Sequence, residues 1–293
     1  MRLVLLGAHG MLGRELAGCL APLGEVIALG RAECDITDAA TLTATINETR
    51  PAIIVNAAAY TAVDRAESEA KTAFAVNAEA PGRLAALARE HDALLVHYST
   101  DYVFSGTKGL PYSEDDAPAP LSVYGQSKLG GEETIKRGGC RHLILRTSGL
   151  FAAHGKNFVT TLLRRANAGD TLEVVADQLT APTSARQLAV ATAWLLARAE
   201  PPRGLYHLAA RGATSWHGFA EAICEEALRL GLLAQKPQIR RLASADFFVA
   251  SYPARRPADS RLDCSCLEKV CGIRLPHWRQ GLDECLTELS STV

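Results

Sequence analysis

Tyr124 and Lys128 stand four residues apart in the segment YGQSK, so in a helix they project from one face about a turn apart. A carbonyl reduction needs a hydride and a proton for the developing alkoxide, and a phenol can give that proton. Its ordinary pKa of about 10 is high for work near neutrality, and a neighbouring ammonium favours the phenolate and lowers it. The same pair also suits an amphipathic surface, so its meaning depends on its company. That company is Ser99-Thr100, ending an apolar run 24 residues before Tyr124, and the turn Gly7, Gly10, Gly13, which reads G-x-x-G-x-x-G. The turn follows a short apolar run and opens an amphipathic one. It suits a sharp bend, close approach of a pyrophosphate, and a helix packed tightly on a sheet.

In such folds an acidic residue at the end of the second strand holds the ribose of NAD. Here that place reads Gly30-Arg31. An arginine there pairs with a 2′-phosphate, which points to NADPH over NADH; the alternatives are that NADH serves and that Arg31 is merely a solvated loop residue. Asp35 is placed for the adenine side.

These residues need an alternating scaffold to hold them, and the chain supplies one. The apolar runs 2–6, 25–29, 52–56, 93–99 and 143–148 read as strands, with helices expected over 11–21, 38–48, 70–91 and the YGQSK segment. The order implies a Rossmann-type, doubly wound parallel sheet of the α/β class with right-handed crossovers. Less regular alternation follows, with helices near 157–168, 184–199 and 215–230 and strands at 172–175 and 205–209. Residues 1–150, with returning segments near 177–215, are expected to form the dinucleotide-binding domain. Residues 151–293 form mainly a smaller, interleaved substrate domain.

The balance of 31 Lys+Arg against 32 Asp+Glu gives a formal charge of −1, which argues against a nucleic-acid partner. No apolar stretch approaches the roughly 20 residues that span a bilayer, so no membrane partner and a cytoplasmic location are expected. The eight cysteines read as reduced thiols. Cys264, Cys266 and Cys271 lack the paired spacing of a zinc site, and no metal ligand is assigned there.

The glycine turn, Ser99-Thr100 and Tyr124/Lys128 together resemble the extended short-chain dehydrogenase/reductase superfamily. Within it, NAAAYTAVDRAE (56–67), VHYSTDYVFSGT (96–107), VYGQSKLGGE (123–132), DQLTAPT (177–183) and RRPADSRLD (255–263) are similar to the dTDP-4-dehydrorhamnose reductase family. The resemblance implies NADPH-dependent reduction of the C4 ketone of dTDP-4-dehydro-L-rhamnose, the last step of dTDP-rhamnose biosynthesis. It implies Tyr124 as proton donor, Lys128 holding the nicotinamide ribose and tuning the tyrosine, Thr100 bonding the reacting oxygen, and Tyr102 lining the active site. Gly10, Met11 and Leu12 match the cofactor turn, Asp35 and Ile36 the adenine contacts, and Ala59, Tyr60 and Thr61 the segment under the nicotinamide half. Thr61 and Asp64 equally suit a helix N-cap and first turn. Arg256 and Arg261 match the substrate-closing segment, and the five arginines between 240 and 261 suit one diphosphate.

One departure stands out. Where many family members carry a tryptophan against the sugar, this chain has Gly149, leaving Phe151 or Trp216 to compensate. Some relatives use a C-terminal glutamate for Mg²⁺ at a dimer contact, so Asp283, Glu284 and Glu288 are candidates for that ion and for a homodimer, or simply a solvated face. Two other functions stay open. One is a sugar-nucleotide epimerase or dehydratase that recycles tightly held NAD, against which Gly30-Arg31 argues. The other is a non-catalytic dinucleotide-binding regulatory subunit, against which the retained Thr100, Tyr124 and Lys128 argue.

Overall fold

The computed structural model describes residues 1–247 and 253–291. Its centre is a six-stranded parallel sheet built from β1 (Arg2–Leu6), β2 (Glu25–Leu29), β3 (Ile53–Asn56), β4 (Leu94–Thr100), β5 (Arg141–Thr147) and, far along the chain, β7 (Gly204–His207). The strand order is β7-β5-β4-β3-β1-β2. Apolar side chains on both sides of β1, β3 and β4 must be covered by helices, which is why these strands read as continuous rather than alternating. On one face α1 (Met11–Leu20) presents Leu12, Leu16 and Leu20 to a core shared with Leu188 and Leu195 of α6 (Ala185–Leu196). On the other, α2 (Ala39–Thr49) and α3 (Ala80–Glu90) bury Leu42, Ile46, Leu84 and Ala88.

A second core lies away from the sheet. It joins α5 (Phe158–Asn167), α7 (Trp216–Arg229) and α8 (Trp278–Ser290) over Val159, Phe219, Ile223 and Leu282, beside the short parallel pair β6 (Leu172–Val175) and β8 (Ile239–Leu242). The helix carrying YGQSK is α4 (Val123–Gly138); Ser122 caps it by accepting from the Gly125 amide, and Gly139 ends it in the left-handed region.

Several boundaries differ from the sequence reading. The helix expected over 70–91 is broken into Ala70–Phe74, a π-helical turn Ala75–Glu79, and α3. Thr61 is not a cap: the short helix Val63–Ala66 starts after Ala62 with no side-chain cap. Arg240 and Arg241 lie on β8, and Tyr252, at the start of the basic loop 252–263, lies outside the described residues.

The strand order reverses at β1, which has β2 on one side and β3 on the other, so the loops after β1 and β3 part there and open a crevice at the strands' C-terminal ends. Among the described residues no helix is long and apolar enough to cross a membrane.

Candidate active site

The crevice is lined by Gly7, Gly10, Arg31, Asp35, Ile36, Ala59 and Tyr60, all expected there, and by His9, Cys34, Arg65 and Glu69, which were not. Gly7 sits at φ +79°, and a Cβ on it would lie 2.6 Å from the Ala58 amide nitrogen. A Cβ on Gly13 would lie 2.1 Å from the Gly7 carbonyl oxygen, so this glycine lets α1 rest on the turn. Met11 and Leu12 follow the cap residue Gly10, so their amides belong to the unsatisfied first turn that suits a pyrophosphate, while the Leu12 side chain points into the core. The residues present therefore fit a dinucleotide.

Arg31 stands at the crevice edge with its side chain 84% exposed, its Nε donating to Asp35 Oδ2 at 3.0 Å. Asp35 also accepts from the Thr37 hydroxyl (2.7 Å) and amide (2.9 Å), which hold its carboxyl below the usual range. Asn77, on the π-helical turn, accepts from the Tyr60 amide (2.8 Å) and donates to the Tyr60 carbonyl (3.0 Å) and to Ser127 Oγ (2.9 Å). It thereby ties the segment containing Ala59, Tyr60 and Thr61 to α4. Sequence reasoning missed it because its partners lie 17 and 50 positions away.

Thr100 ends β4, and Tyr124 occupies the first turn of α4. The structure brings them together: the Thr100 side chain is close enough to the Tyr124 phenol to lower it as a hydrogen-bonding neighbour, and the Tyr102 ring meets that of Tyr124 edge-on at 5.8 Å. Burial pushes the Tyr124 phenol up to about 12, with Thr100 pulling the other way. Lys128 is not among the groups acting on it. Its Nζ donates to the Tyr98 carbonyl at 2.6 Å and lies 3.4 Å from His97 Nε2. The expected lowering of the tyrosine by the lysine is therefore absent from this geometry. Lys128 itself is buried, and desolvation brings it down to about 8. His97, accepting from Asn56 Nδ2 at 3.2 Å, is kept neutral by burial and by the adjacent ammonium.

Below this pair runs a fully buried ion pair. Arg146 of β5 grips Glu132 of α4 through Nε (2.8 Å) and Nη2 (2.6 Å), and Ser99 donates to the same carboxylate at 2.5 Å. It locks the strand end that carries Thr100 to the helix that carries Tyr124.

On the far side of Tyr102 opens a cavity walled by Phe158, Thr161, Arg165, Gln178, Trp216 and Arg256. Arg256 donates to Asp64 at 2.6 Å and 3.2 Å, to the Ala254 carbonyl at 3.1 Å, and also bonds the Tyr102 side chain. Asp64 does stand in the first turn of the short helix Val63–Ala66, and its carboxylate is also an anchor across the site. Trp216 supplies an indole here, whereas Phe151 is wholly buried against Phe219 and takes no part. Gly149 sits at φ +53° with Pro182 Cα 3.1 Å from where a Cβ would stand, so a tryptophan at that position would be strained.

The five arginines between 240 and 261 do not converge. Arg261 is held by Asp259 (2.8 and 2.6 Å) and borders a separate groove with Lys108 and Arg211; Arg240, Arg241 and Arg255 do not line the cavity. The second guanidinium in the cavity is that of Arg165, on α5.

The carboxylates of the C-terminal helix do not fit a resident Mg²⁺. Arg186 of α6 lies between Glu288 (3.1 Å) and Glu15 (3.3 Å), His154 takes the other oxygen of Glu15 at 2.8 Å, and Glu284 accepts from Gln187 and Gln280 at 3.0 Å. No group of three His, Cys, Asp or Glu among the described residues converges on a metal position. Cys264, pushed up to about 12 by burial, donates to the Ala209 carbonyl.

Residues 1–291 match the family described as RmlD substrate binding domain. The chain is 44% identical over 298 residues to the dTDP-4-dehydrorhamnose reductase of Burkholderia thailandensis, covering 99% of this chain and 100% of that protein. It is 40% identical over 299 residues to the Escherichia coli K12 protein of the same name, covering 100% and 99%. The crystal structure of the Bacillus anthracis reductase in complex with NADP superposes with a TM-score of 0.91 at 33% identity, over 98% of this chain and 99% of that one. An NAD-bound UDP-glucose 4-epimerase from Thermus thermophilus shares the fold at a TM-score of 0.82 and 20% identity. With this agreement along its whole length, the chain belongs to the dTDP-4-dehydrorhamnose reductase family of extended short-chain dehydrogenase/reductases.

Proposed function

We propose that the protein reduces the C4 ketone of dTDP-4-dehydro-L-rhamnose with NADPH, giving dTDP-L-rhamnose in the last step of dTDP-rhamnose biosynthesis. The observation that carries this reading is the Tyr124–Thr100 pair, joined through the Tyr102 ring to the Trp216/Arg256 cavity and, through Asn77 and the helix that carries Tyr124, to Tyr60 of the glycine-turn crevice. A ketone held there has a phenolic proton to one side of its oxygen.

The dinucleotide, bound in the crevice, supplies the hydride. The Met11 and Leu12 amides face its pyrophosphate, and the nitrogens of Arg31 not engaged by Asp35 favour a 2′-phosphate. Lys128 holds the nicotinamide ribose, and Tyr124 donates to the oxygen that gains charge, with Thr100 orienting the phenol. On the other side Trp216 offers a flat wall in place of the missing tryptophan, and Arg165 and Arg256 face the diphosphate. Arg261 keeps the 253–263 segment folded through Asp259. The dinucleotide domain is residues 1–150 with segments returning from 177–215; β7 in the main sheet and α6 against α1 support that division.

Loss of NADPH absorbance on addition of the dTDP-4-dehydro sugar tests the function, and Tyr124→Phe should lower kcat by about 10²–10⁴-fold. Turnover with no net NADPH loss would instead mark a recycling epimerase or dehydratase.

A further inference from the structure

Asp101 follows Thr100 in the 3₁₀ turn at the end of β4 and is 2% exposed. Desolvation is the largest influence on it, ahead of every hydrogen bond it receives. Its Oδ1 lies 3.0 Å from Thr100 Oγ1, and its Oδ2 is buried with no hydrogen-bond partner among the described residues. The Ser260 side chain acts on the carboxyl as a hydrogen-bond partner, its hydroxyl also reaching the Leu179 carbonyl at 3.4 Å, and yet burial outweighs it. The phenols of Tyr102 and Tyr124 are near enough to feel its charge, and Arg256, the cation of the adjoining segment, donates to Asp64 and bonds the Tyr102 side chain. An ionised carboxylate would put charge on an oxygen that nothing solvates, so the neutral acid is favoured.

We propose that Asp101 is the proton reservoir of the reduction, recharging Tyr124 through the Thr100 hydroxyl after the phenol has protonated the substrate oxygen. This rests on the reductase reading above and adds a residue to its chemistry.

The Thr100 hydroxyl has one proton and two lone pairs. It accepts from the Tyr102 amide at 3.2 Å and donates to Asp101 Oδ1 at 3.0 Å; protonation of Asp101 reverses that second bond, so that the carboxyl donates to the remaining lone pair and the Thr100 proton is released toward the Tyr124 oxygen. As hydride reaches the ketone carbon, the Tyr124 O–H bond breaks and its proton passes to the ketone oxygen. The Thr100 proton then moves to the phenolate, and the Asp101 proton moves to Thr100 Oγ1. Thr100 and Tyr124 end as they began. Asp101 ends as a carboxylate and recovers its proton from water between turnovers. Burial raises Asp101 to about 7 while Tyr124 stands at about 12, so the transfer runs downhill. The carboxyl is also within reach of reprotonation near neutral pH.

The test is kcat against pH in both directions, on wild type, Asp101→Asn and Thr100→Val. In the reductive direction the wild type should lose activity as pH rises through about 7, where Asp101 gives up its proton. In the oxidative direction, with dTDP-L-rhamnose and NADP⁺, it should gain activity over the same range, because the carboxylate is then the acceptor. Asp101→Asn should lower kcat at least tenfold in both directions, abolish both limbs, and change KM for either ligand by less than threefold. Thr100→Val should lose the same limbs with Asp101 intact, while Thr100→Ser keeps them. An Asp101→Asn enzyme that retains kcat within twofold and both limbs overturns the proposal. A purely structural role would change KM or folding and leave the limbs in place. Infrared titration of wild-type protein against the variant gives a readout free of turnover: a protonated carboxyl disappearing near pH 7 in wild type alone is the expected result, and its absence also overturns the proposal. A wild-type protein that fails to reduce the sugar while showing that titration would count against the reductase reading instead.

Discussion

The two ligand sides of this molecule are built from different materials. The dinucleotide side is mostly main chain: a glycine turn, a helix N-terminus, and a segment clamped by Asn77, with Arg31 as an exposed edge. The side proposed for the sugar is side chain on side chain, from Asp64–Arg256–Tyr102 across the site to Trp216 and Arg165 on elements of the second core. A backbone site tolerates almost any sequence that preserves the turn, whereas a side-chain site is set by pairs that touch from distant positions. The first kind therefore breaks through geometry and the second through loss of single contacts.

The sharpest way to break the contrast is Gly13→Ala. The added methyl meets backbone at 2.1 Å, which cannot rotate aside, so α1 must lift from the turn and carry the pyrophosphate amides with it. Overpacking of this kind costs roughly 1–3 kcal/mol in stability. NADPH affinity, measured by fluorescence, should fall by about 100-fold, while dTDP affinity by calorimetry stays near wild type. A variant that loses both equally would show the two sides to be one cooperative unit.

Smaller and opposite in sense is Trp216→Ala. With its indole the cavity loses the flat wall proposed above to serve the sugar. The KM for the dTDP-sugar should rise roughly tenfold, consistent with about 1.4 kcal/mol of lost contact, with NADPH affinity unchanged. An unchanged KM would place the sugar elsewhere. Arg31→Ala touches only the exposed edge, where solvent screens a charge contact, so the preference for NADPH over NADH should fall by a few-fold and no more.

The same contrast governs what the sequence could say. Strands as apolar runs, Asp38 as a cap on α2, and the glycine turn are local patterns, and each is found where the residues indicate it. So is the meeting of Thr100, Tyr102 and Tyr124, because β4 and the start of α4 are joined by one loop. What escaped was non-local or electrostatic. Nothing in the spacing of Asn77 to Tyr60, Asp64 to Arg256 or Glu132 to Arg146 distinguishes them from solvated polar residues. Proximity in sequence likewise overstated the arginine cluster, which the fold distributes over β8, the cavity and the Asp259 turn. The spacing of Tyr124 and Lys128 correctly gave one helix face, but not that the ammonium would turn toward the Tyr98 carbonyl and leave burial to dominate the phenol.

The faintest expected effect concerns the join between the two sides. Glu15 belongs to the helix that opens the dinucleotide turn, Glu288 to the C-terminal helix, and Arg186 pairs with both. A guanidinium there already does what a divalent ion does between carboxylates: it neutralises them and fixes their separation. Chelation with EDTA should therefore leave both kcat and Tm of the wild type unchanged. Arg186→Gln removes the positive charge and leaves Glu15 and Glu288 facing each other, with His154 still on Glu15. Because Arg186 is partly exposed, the loss should be about 1 kcal/mol, a Tm lower by a few degrees. Millimolar Mg²⁺ should recover part of that loss in the variant and none in the wild type. If instead the wild type is stabilised by Mg²⁺, the arginine is not a substitute for the ion, and the two sides are joined by something other than this contact.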